Sequence, residues 1–375
     1  MDQDRHYMQM ALELAAKARG RTSPNPMVGA VLVKGGEVVG KGFHAKAGGA
    51  HAEVVALADA GEKARGATAY VTLEPCCHHG RTGPCTEALL KAGVKKVVAA
   101  MTDPNPLVAG KGLTILREAG VEVTSGVLEE EAVQLNEVFI KYITSRRPFV
   151  VLKAATSLDG KIATASGESK WITGEAAREF GHRLRDSYDA ILVGVNTVLA
   201  DDPSLTARLP EGRGKDPIRI IVDSSARTPT AAKVLTQLSA AHTIIATTGA
   251  APAERRAGLM AAGAEVLVVP GAGPRVDLVK LMEMLGEKQI TSVLVEGGGQ
   301  VNGAALTAGI VDKVAWFMAP KIIGGDGAPG PVRGDGIASL QNAIKLYDLS
   351  IEKLGEDIFV TGYTSERGGR ISLPE

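Results

Sequence analysis

The whole cysteine content of the chain, Cys76, Cys77 and Cys85, falls within ten consecutive positions, and His51-Ala52-Glu53 stands some two dozen residues upstream. Sulfur and imidazole are the donors zinc prefers, and three protein ligands leave a fourth position for water. A Zn2+ held by His51, Cys76 and Cys85 requires the chain to return two separate segments to one point, and that requirement constrains the fold more than any other feature of the sequence. Three cysteines so placed make no disulfide scaffold; clustered, they indicate metal binding or catalysis. Cys76 and Cys85 lie nine positions apart, wider than the usual Cys-x-x-Cys, but Gly80, Gly83 and Pro84 let the intervening chain turn. One backbone geometry rarely aims two successive side chains at one metal, so Cys77 is the spare. His78 and His79, competent donors, are assigned to the lining of a substrate loop. Glu53 is close enough to His51 to reach the metal's water without being a ligand, and a carboxylate there can move protons. A closed, structural zinc site is the alternative, and such a site has no need of Glu53.

Apolar patterning supplies the two junctions. Residues 4–19 carry a helical pattern, and strands at 27–33 and 37–40 flank Gly35-Gly36 as a hairpin. A helix starting at His51 runs to about Ala60, a β-branched strand at 69–73 delivers Glu74-Pro75-Cys76, and a helix covers 86–91. Both ligand segments therefore open helices, whose positive N-terminal ends favour thiolate over thiol. Strands at 96–100 and 121–124, a helix at 113–119 and one long amphipathic helix at 129–143 complete an α/β/α layered domain. Ser145-Arg146-Arg147-Pro148 marks the boundary, dividing the chain into domains at 1–146 and 147–375.

Beyond it, an apolar strand at 149–155 is interrupted by Lys153, either an edge lysine reaching for water or a residue that contacts a ligand. An Asp159-Gly160 turn, a loop at 166–173 and a helix at 176–186 follow. Strands at 190–194, 219–222, 243–246, 265–269, 292–296, 315–320 and 358–361, with a helix near 276–285, make a mixed sheet; Gly271-Ala272-Gly273-Pro274 reads as a connector. Gly297 and Gly299 satisfy two positions of the dinucleotide motif G-x-G-x-x-G, but Asn302 occupies its sixth. A strand ending in three glycines before a helix is either a tight turn or a place where backbone N–H groups approach a phosphate.

Composition narrows the partners. Lys+Arg equals Asp+Glu at 42 each, and aromatics make up 4% of residues. That balance gives no general basic field and few stacking platforms for nucleic acid. The charged start, Met1-Asp2-Gln3-Asp4-Arg5-His6, lacks a signal-peptide core, and no apolar run approaches the roughly 20 residues of a membrane helix. The expectation is a cytoplasmic enzyme with a small-molecule substrate, no nucleic-acid or membrane partner, and an oligomeric state left open, a homo-oligomer included.

His51-Ala52-Glu53 with Pro75-Cys76 and Cys85 resembles the cytidine and nucleotide deaminase superfamily, whose pattern is H-x-E…P-C-x-x-C. Eight residues rather than two separate these cysteines, and the run Glu74-Pro75-Cys76…His78-His79-Gly80-Arg81-Thr82…Pro84-Cys85 is similar to one branch, the riboflavin-biosynthesis pyrimidine deaminases. Pro24-Asn25-Pro26-Met27-Val28-Gly29 and Asp103-Pro104-Asn105-Pro106 resemble that branch as well. Asn25 is then either a ligand of the pyrimidine ring or a turn residue between prolines. The second half, through Leu152-Lys153-Ala154, Ser157-Leu158-Asp159-Gly160, Ser169-Lys170-Trp171, Ala200-Asp201-Asp202-Pro203 and Glu296-Gly297-Gly298-Gly299, resembles the pyrimidine reductase that accompanies it, on a dihydrofolate-reductase-like fold.

The resemblance implies an N-terminal cytidine-deaminase-like domain that hydrolytically deaminates 2,5-diamino-6-ribosylamino-4(3H)-pyrimidinone 5′-phosphate, with zinc on His51, Cys76 and Cys85 and Glu53 carrying the proton. It implies a C-terminal domain that reduces the ribosyl group to ribityl with NADPH. The cofactor contacts it implies are Ala155, Trp171, Thr197, Asp201, Ser224, Gly298, Gly299, Gln300, Val301, Asn302, Gly303 and Ala304. Ser169, Arg185, Leu205, Arg208 and Glu296 would hold the substrate, with Lys153 catalytic. Arg185 is otherwise a surface charge on a charged helix, and Trp171 otherwise a core residue. A base deaminase acting on nucleic acid and a zinc-containing binding protein are the rival readings.

Overall fold

The computed structural model describes residues 2–78, 83–106, 108–210, 212, 214–271 and 273–366. The expected loop positions His79, Gly80, Arg81 and Thr82, with Ala272 of the connector, lie outside them. The chain divides between Arg146 and Arg147 into two compact units. No helix among the described residues is long and apolar enough to cross a membrane.

The first unit comprises helix α1 (Asp2–Ala16), strands β1 (Gly29–Lys34) and β2 (Glu37–Phe43), α2 (Ala52–Ala60), β3 (Thr68–Val71), α3 (Cys85–Ala92), β4 (Lys96–Ala99), α4 (Lys111–Glu118), β5 (Glu122–Ser125), α5 (Glu129–Leu135) and α6 (Glu137–Ser145). Its sheet runs β2-β1-β3-β4-β5, antiparallel at β2/β1 and β1/β3 and parallel thereafter. Met8 and Leu12 of α1, Ala132 of α5 and Ile140 of α6 pack on Val31 and Val98 of one sheet face. Ala52 and Ala56 of α2, Leu89 of α3 and Leu116 of α4 cover Leu32, Val71 and Val97 on the other. Glycine in β2 is what lets α2 lie so close: a Cβ on Gly42 would stand 2.4 Å from the Ala52 carbonyl oxygen.

The long helix expected at 129–143 is two helices. Asn136 breaks it because its buried amide is used elsewhere: Oδ1 accepts from Met27 N at 2.8 Å and Nδ2 donates to Met27 O at 3.0 Å. Satisfying a buried backbone pair from a side chain is worth more than continuing the helix through a residue that favours caps and turns.

The second unit contains β6 (Phe149–Ser157), α7 (Glu175–Ser187), β7 (Ala190–Gly194), α8 (Val195–Asp201), β8 (Ile218–Val222), α9 (Lys233–Thr236), β9 (Thr243–Thr247), α10 (Ala253–Ala261), β10 (Glu265–Val268), α11 (Leu278–Glu287), β11 (Ser292–Val295), α12 (Gly299–Thr307), β12 (Lys313–Ala319), β13 (Tyr347–Leu354) and β14 (Asp357–Tyr363). Its nine strands run β10-β9-β8-β7-β11-β6-β12-β14-β13, parallel as far as β12, with β14 antiparallel to both its neighbours. Leu281, Met282 and Leu285 of α11 and Ala305 of α12 pack on one face. Val198 of α8, Val234 of α9 and Leu259 of α10 pack on the other, where Phe180 of α7 also meets Phe317 and Phe359.

Because β6, β7, β8 and β11 are parallel, Thr197, Asp201, Ser224 and the run from Glu296 to Ala304 all follow strands at one rim of the sheet. That is where open parallel sheets hold their ligands. Helices α8 and α10 and strand β13 go beyond the sequence reading. Tyr347 to Glu352 of β13 alternate apolar and polar residues, yet nearly all of the strand is exposed, so the alternation there does not mark a buried face.

Candidate functional site

In the first unit, His51 is the residue that precedes α2, with extended backbone (φ −71, ψ 156), and Cys85 is the first residue of α3. Cys76 follows β3. One donor atom from each lies within 4.8 Å of the others. His51 Nδ1 is 3.1 Å from Cys85 Sγ and 3.5 Å from Cys76 Sγ, and the Cys85 backbone N–H points at Cys76 Sγ from 3.4 Å. Two sulfurs and one nitrogen so gathered suit a single Zn2+ bound at about 2.0–2.3 Å from each, with room for one further ligand. Hydrogen bonds from the Cys85 thiol, His51 and the Cys85 N–H draw Cys76 toward thiolate despite its burial. The same contact with Cys76, together with burial, raises Cys85. Cys77 is half-buried beside this trio and outside it.

Glu53 is 4% exposed, and burial pushes its carboxyl up to about 7. A carboxyl poised there can both accept and return a proton near neutral pH. Asn25 Nδ2 lies 3.2 Å from His44 Nε2, while His44 Nδ1 lies 3.0 Å from the Ala50 carbonyl. Burial lowers the His44 pKa, and its ring stands 5.8 Å from that of His51. The structure thus brings Asn25 to the edge of the candidate metal site through His44, a residue that no sequence motif singles out. His78 is exposed.

Glu74 was quoted above only as part of a motif, and its role is structural. Its buried carboxylate accepts four backbone N–H groups: Asp103 (3.0 Å) and Gly110 (2.8 Å) on Oε2, Gly112 (2.8 Å) and Leu113 (3.2 Å) on Oε1. Three of these open α4, so a negative charge sits where the helix end is positive. The carboxylate two residues before Cys76 thereby fixes the rim loop of Asp103. Asp103 itself is buried, which pushes its carboxyl up to about 6.

In the second unit, a cavity of about 470 Å³ opens between β6, α7 and the loop after α8, walled by Lys153, Ala155, Trp171, His182, Arg185, Arg208 and Glu296 among others. Glu296 is almost entirely inside. Arg185 grips it with both arms, Nε to Oε1 at 2.7 Å and Nη2 to Oε2 at 2.9 Å, and Lys153 Nζ stands 3.5 Å from Oε2. Burial would raise the Glu296 carboxyl, but Arg185 and Lys153 outweigh it and hold it down at about 2. Arg185 is therefore no surface charge, and its remaining Nη1 donates to Thr206 O at 3.2 Å. Arg208 keeps most of its guanidinium for the cavity, with Nη1 bonded to Thr206 Oγ1 at 2.9 Å. Trp171 is 62% exposed with Arg178 over its ring at 4.9 Å, which removes the core-packing alternative.

The other expected positions stand outside that wall. Ser169 lies in the loop before Trp171, and the side chain of Leu205 is buried in the core, leaving only its backbone for a ligand. Asp201 is exposed at the end of α8. Ser224 Oγ accepts from Val276 N at 3.1 Å. Thr197 Oγ1 would lie 3.6 Å from a Cβ on Gly298, the residue that caps α12. Gly298, Gly299 and Gln300 thus bring backbone N–H groups to a helix start. Two glycines of the run have another cause: a Cβ on Gly299 would meet Arg333 Cγ at 2.7 Å, and one on Gly303 would stand 1.8 Å from Arg333 O. Arg333 N also donates to Gly299 O at 2.8 Å. Asn302, the failed position of the motif, donates to Pro331 O at 2.8 Å. Of the run's two remaining positions, Val301 packs against Gly194 and Gly297, and Ala304 is exposed.

The family pattern for the cytidine and deoxycytidylate deaminase zinc-binding region matches residues 1–101, and that for the RibD C-terminal domain matches residues 148–360. A riboflavin biosynthesis protein RibD from Actinobacillus pleuropneumoniae is 49% identical over 357 residues, spanning 95% of this chain and 94% of the relative. That of Escherichia coli K12 is 45% identical over 367 residues, spanning 95% and 98%. Among solved structures, Acinetobacter baumannii RibD (form 2) aligns with a TM-score of 0.85 at 41% identity over 96% of this chain and 99% of the other. A diaminohydroxyphosphoribosylaminopyrimidine deaminase/5-amino-6-(5-phosphoribosylamino)uracil reductase from Thermotoga maritima gives 0.85 at 38%, with the same coverage.

Proposed function

The chain belongs to the RibD family, riboflavin-biosynthesis enzymes that join a pyrimidine deaminase to a pyrimidine reductase, and from that membership we propose which residues perform each reaction. The deaminase domain is assigned to 1–146 and the reductase domain to 147–375. His51, Cys76 and Cys85 hold Zn2+, which supplies the Lewis acidity that makes water nucleophilic near neutral pH. Glu53 takes a proton from the attacking water and returns it to the departing amine, which then leaves as neutral ammonia. Asn25, braced by His44, orients the pyrimidine ring. The observation that carries this half is the convergence of the three donors beside a buried carboxyl poised near 7.

In the reductase, NADPH supplies the hydride that reaches the ribosyl C1′. Ala155 and Trp171 would border the nicotinamide side, and the N–H groups of Gly298, Gly299 and Gln300 would donate to phosphate, with the run to Ala304, Thr197, Asp201 and Ser224 along the rest of the cofactor. Lys153, 3.5 Å from Glu296 Oε2, donates the proton that the opening ribose oxygen requires. Arg208 meets the substrate phosphate with a planar fork, while Arg185 holds Glu296 in place. Ser169 and the Leu205 backbone close the substrate pocket. Reduced cysteines as ligands fit a cytoplasmic setting.

The test is Glu53→Ala. Zinc content should match the parent protein while ammonia release falls about 10²–10⁴-fold; undiminished release overturns the assignment. NADPH oxidation should begin only when the deaminated pyrimidine is present, and oxidation independent of it would sink the reductase half.

A further inference from the structure

His182 lines the same cavity and is absent from the set expected from the sequence. It lies on α7 one turn before Arg185, and its ring meets the loop that carries Arg208. Residues 206–208 have no regular secondary structure, yet side chains clamp each of them. Thr206 O accepts from Arg185 Nη1 at 3.2 Å, Ala207 N donates to Asp216 Oδ1 at 2.9 Å, and Arg208 N lies 3.2 Å from His182 Nδ1. We infer that His182 is a positioning residue: its Nδ1 accepts the Arg208 backbone N–H and thereby fixes the guanidinium at the cavity, making His182 a determinant of specificity for the phosphate end of the substrate.

The tautomer follows from the contacts. Nδ1 also lies 3.2 Å from Thr206 O, and one ring nitrogen cannot donate to that oxygen and accept from Arg208 N together. Thr206 O already has Arg185 as a donor, whereas the Arg208 N–H has no other acceptor among the described residues. An unprotonated Nδ1 leaves neither group orphaned. Burial, followed by the charges of Arg185 and Arg208, lowers the His182 pKa to about 4, so the ring is neutral and the proton resides on Nε2. Of the three cavity arginines, Arg185 is consumed by Glu296, and Arg178 lies over the Trp171 ring with Nη1 bonded to Thr173 O at 2.8 Å, so the clamp nearest to Arg208 governs phosphate recognition.

This inference rests on the reading that Arg208 meets the substrate phosphate, and the test separates the two. Steady-state reductase kinetics are measured on the full chain with 5-amino-6-(5-phosphoribosylamino)uracil and with its dephosphorylated counterpart. His182→Ala should raise KM for the phosphorylated substrate about 10-fold, with kcat little changed and the dephosphorylated substrate unaffected. His182→Asn, whose Oδ1 can stand in for Nδ1, should recover most of that loss. His182→Ala should add nothing to Arg208→Ala. An equal rise with both substrates, a loss confined to kcat, or His182→Asn performing no better than His182→Ala overturns the inference. If Arg208→Ala raises KM for the phosphorylated substrate but His182→Ala does not, only the positioning role fails; if Arg208→Ala leaves KM unchanged, the phosphate assignment fails with it.

Discussion

Glu296 shows how a residue can be named from sequence while its circumstances stay hidden. The resemblance to the pyrimidine reductases made it a candidate; nothing in the order of residues could say that a guanidinium 111 positions earlier would clasp it from both sides. That pair has a measurable signature. Because the folded carboxyl is held at about 2, below its unfolded value of about 4.3, the stabilisation is complete above that value and drains away as pH falls toward 2. Urea unfolding followed between neutral pH and about pH 3 should show the second unit losing stability across that window. Glu296→Gln should flatten the decline and, at neutral pH, cost about 3 kcal/mol by leaving Arg185 buried without its counter-charge; an unchanged pH slope would contradict the account. The metal trio was legible for the opposite reason: sulfur and imidazole have few other uses in so tight a cluster. His44, Glu74 and His182 were illegible because each acts on backbone or on a neighbouring side chain, and such partners are set by tertiary geometry alone.

Elements were read well wherever burial is continuous. The buried parallel strands β7, β8, β9 and β11 announce themselves as short β-branched runs, and the junctions at α2 and α3 followed from the strand-then-helix pattern. Two failures have distinct causes. At Asn136 a long-range side-chain bond to Met27 overrode local helical periodicity. At the glycine run the residue pattern was right but its reason was incomplete. Gly303 is small because the 330–333 segment crosses it, with Arg333 O where a Cβ would go. Gly303→Ala must therefore displace backbone, not a flexible tip. It should destabilise the second unit by about 1–3 kcal/mol in urea titrations and weaken NADPH binding in a fluorescence titration, since the displaced segment also touches Gly299. Retained stability and affinity would show that α12 shifts freely.

At the scale of the whole molecule, each of the two units has its own sheet and its own cores on both sides of it. The layered architecture and the division near Arg146 could be anticipated because a sheet buried on both faces leaves a strong apolar record, and a polar stretch ending in proline interrupts it. One consequence is separable chemistry. Stripping zinc with a chelator should abolish ammonia release while leaving NADPH oxidation of supplied deaminated product at its original rate; parallel loss of both would mean that the metal also sustains the reductase.

The carboxylate of Glu74 gathers four amides from residues 103, 110, 112 and 113 onto one side chain. Such a cluster has one latch. Those amide hydrogens cannot be released singly without leaving a buried charge short of donors, so in deuterium exchange they should share one opening free energy. With Glu74→Gln all four should exchange faster together. Residues 103, 110, 112 and 113 of the rim would then behave, in time as well as in space, as an extension of the chain that carries Cys76; four unrelated rates would show that the latch is only a coincidence of packing.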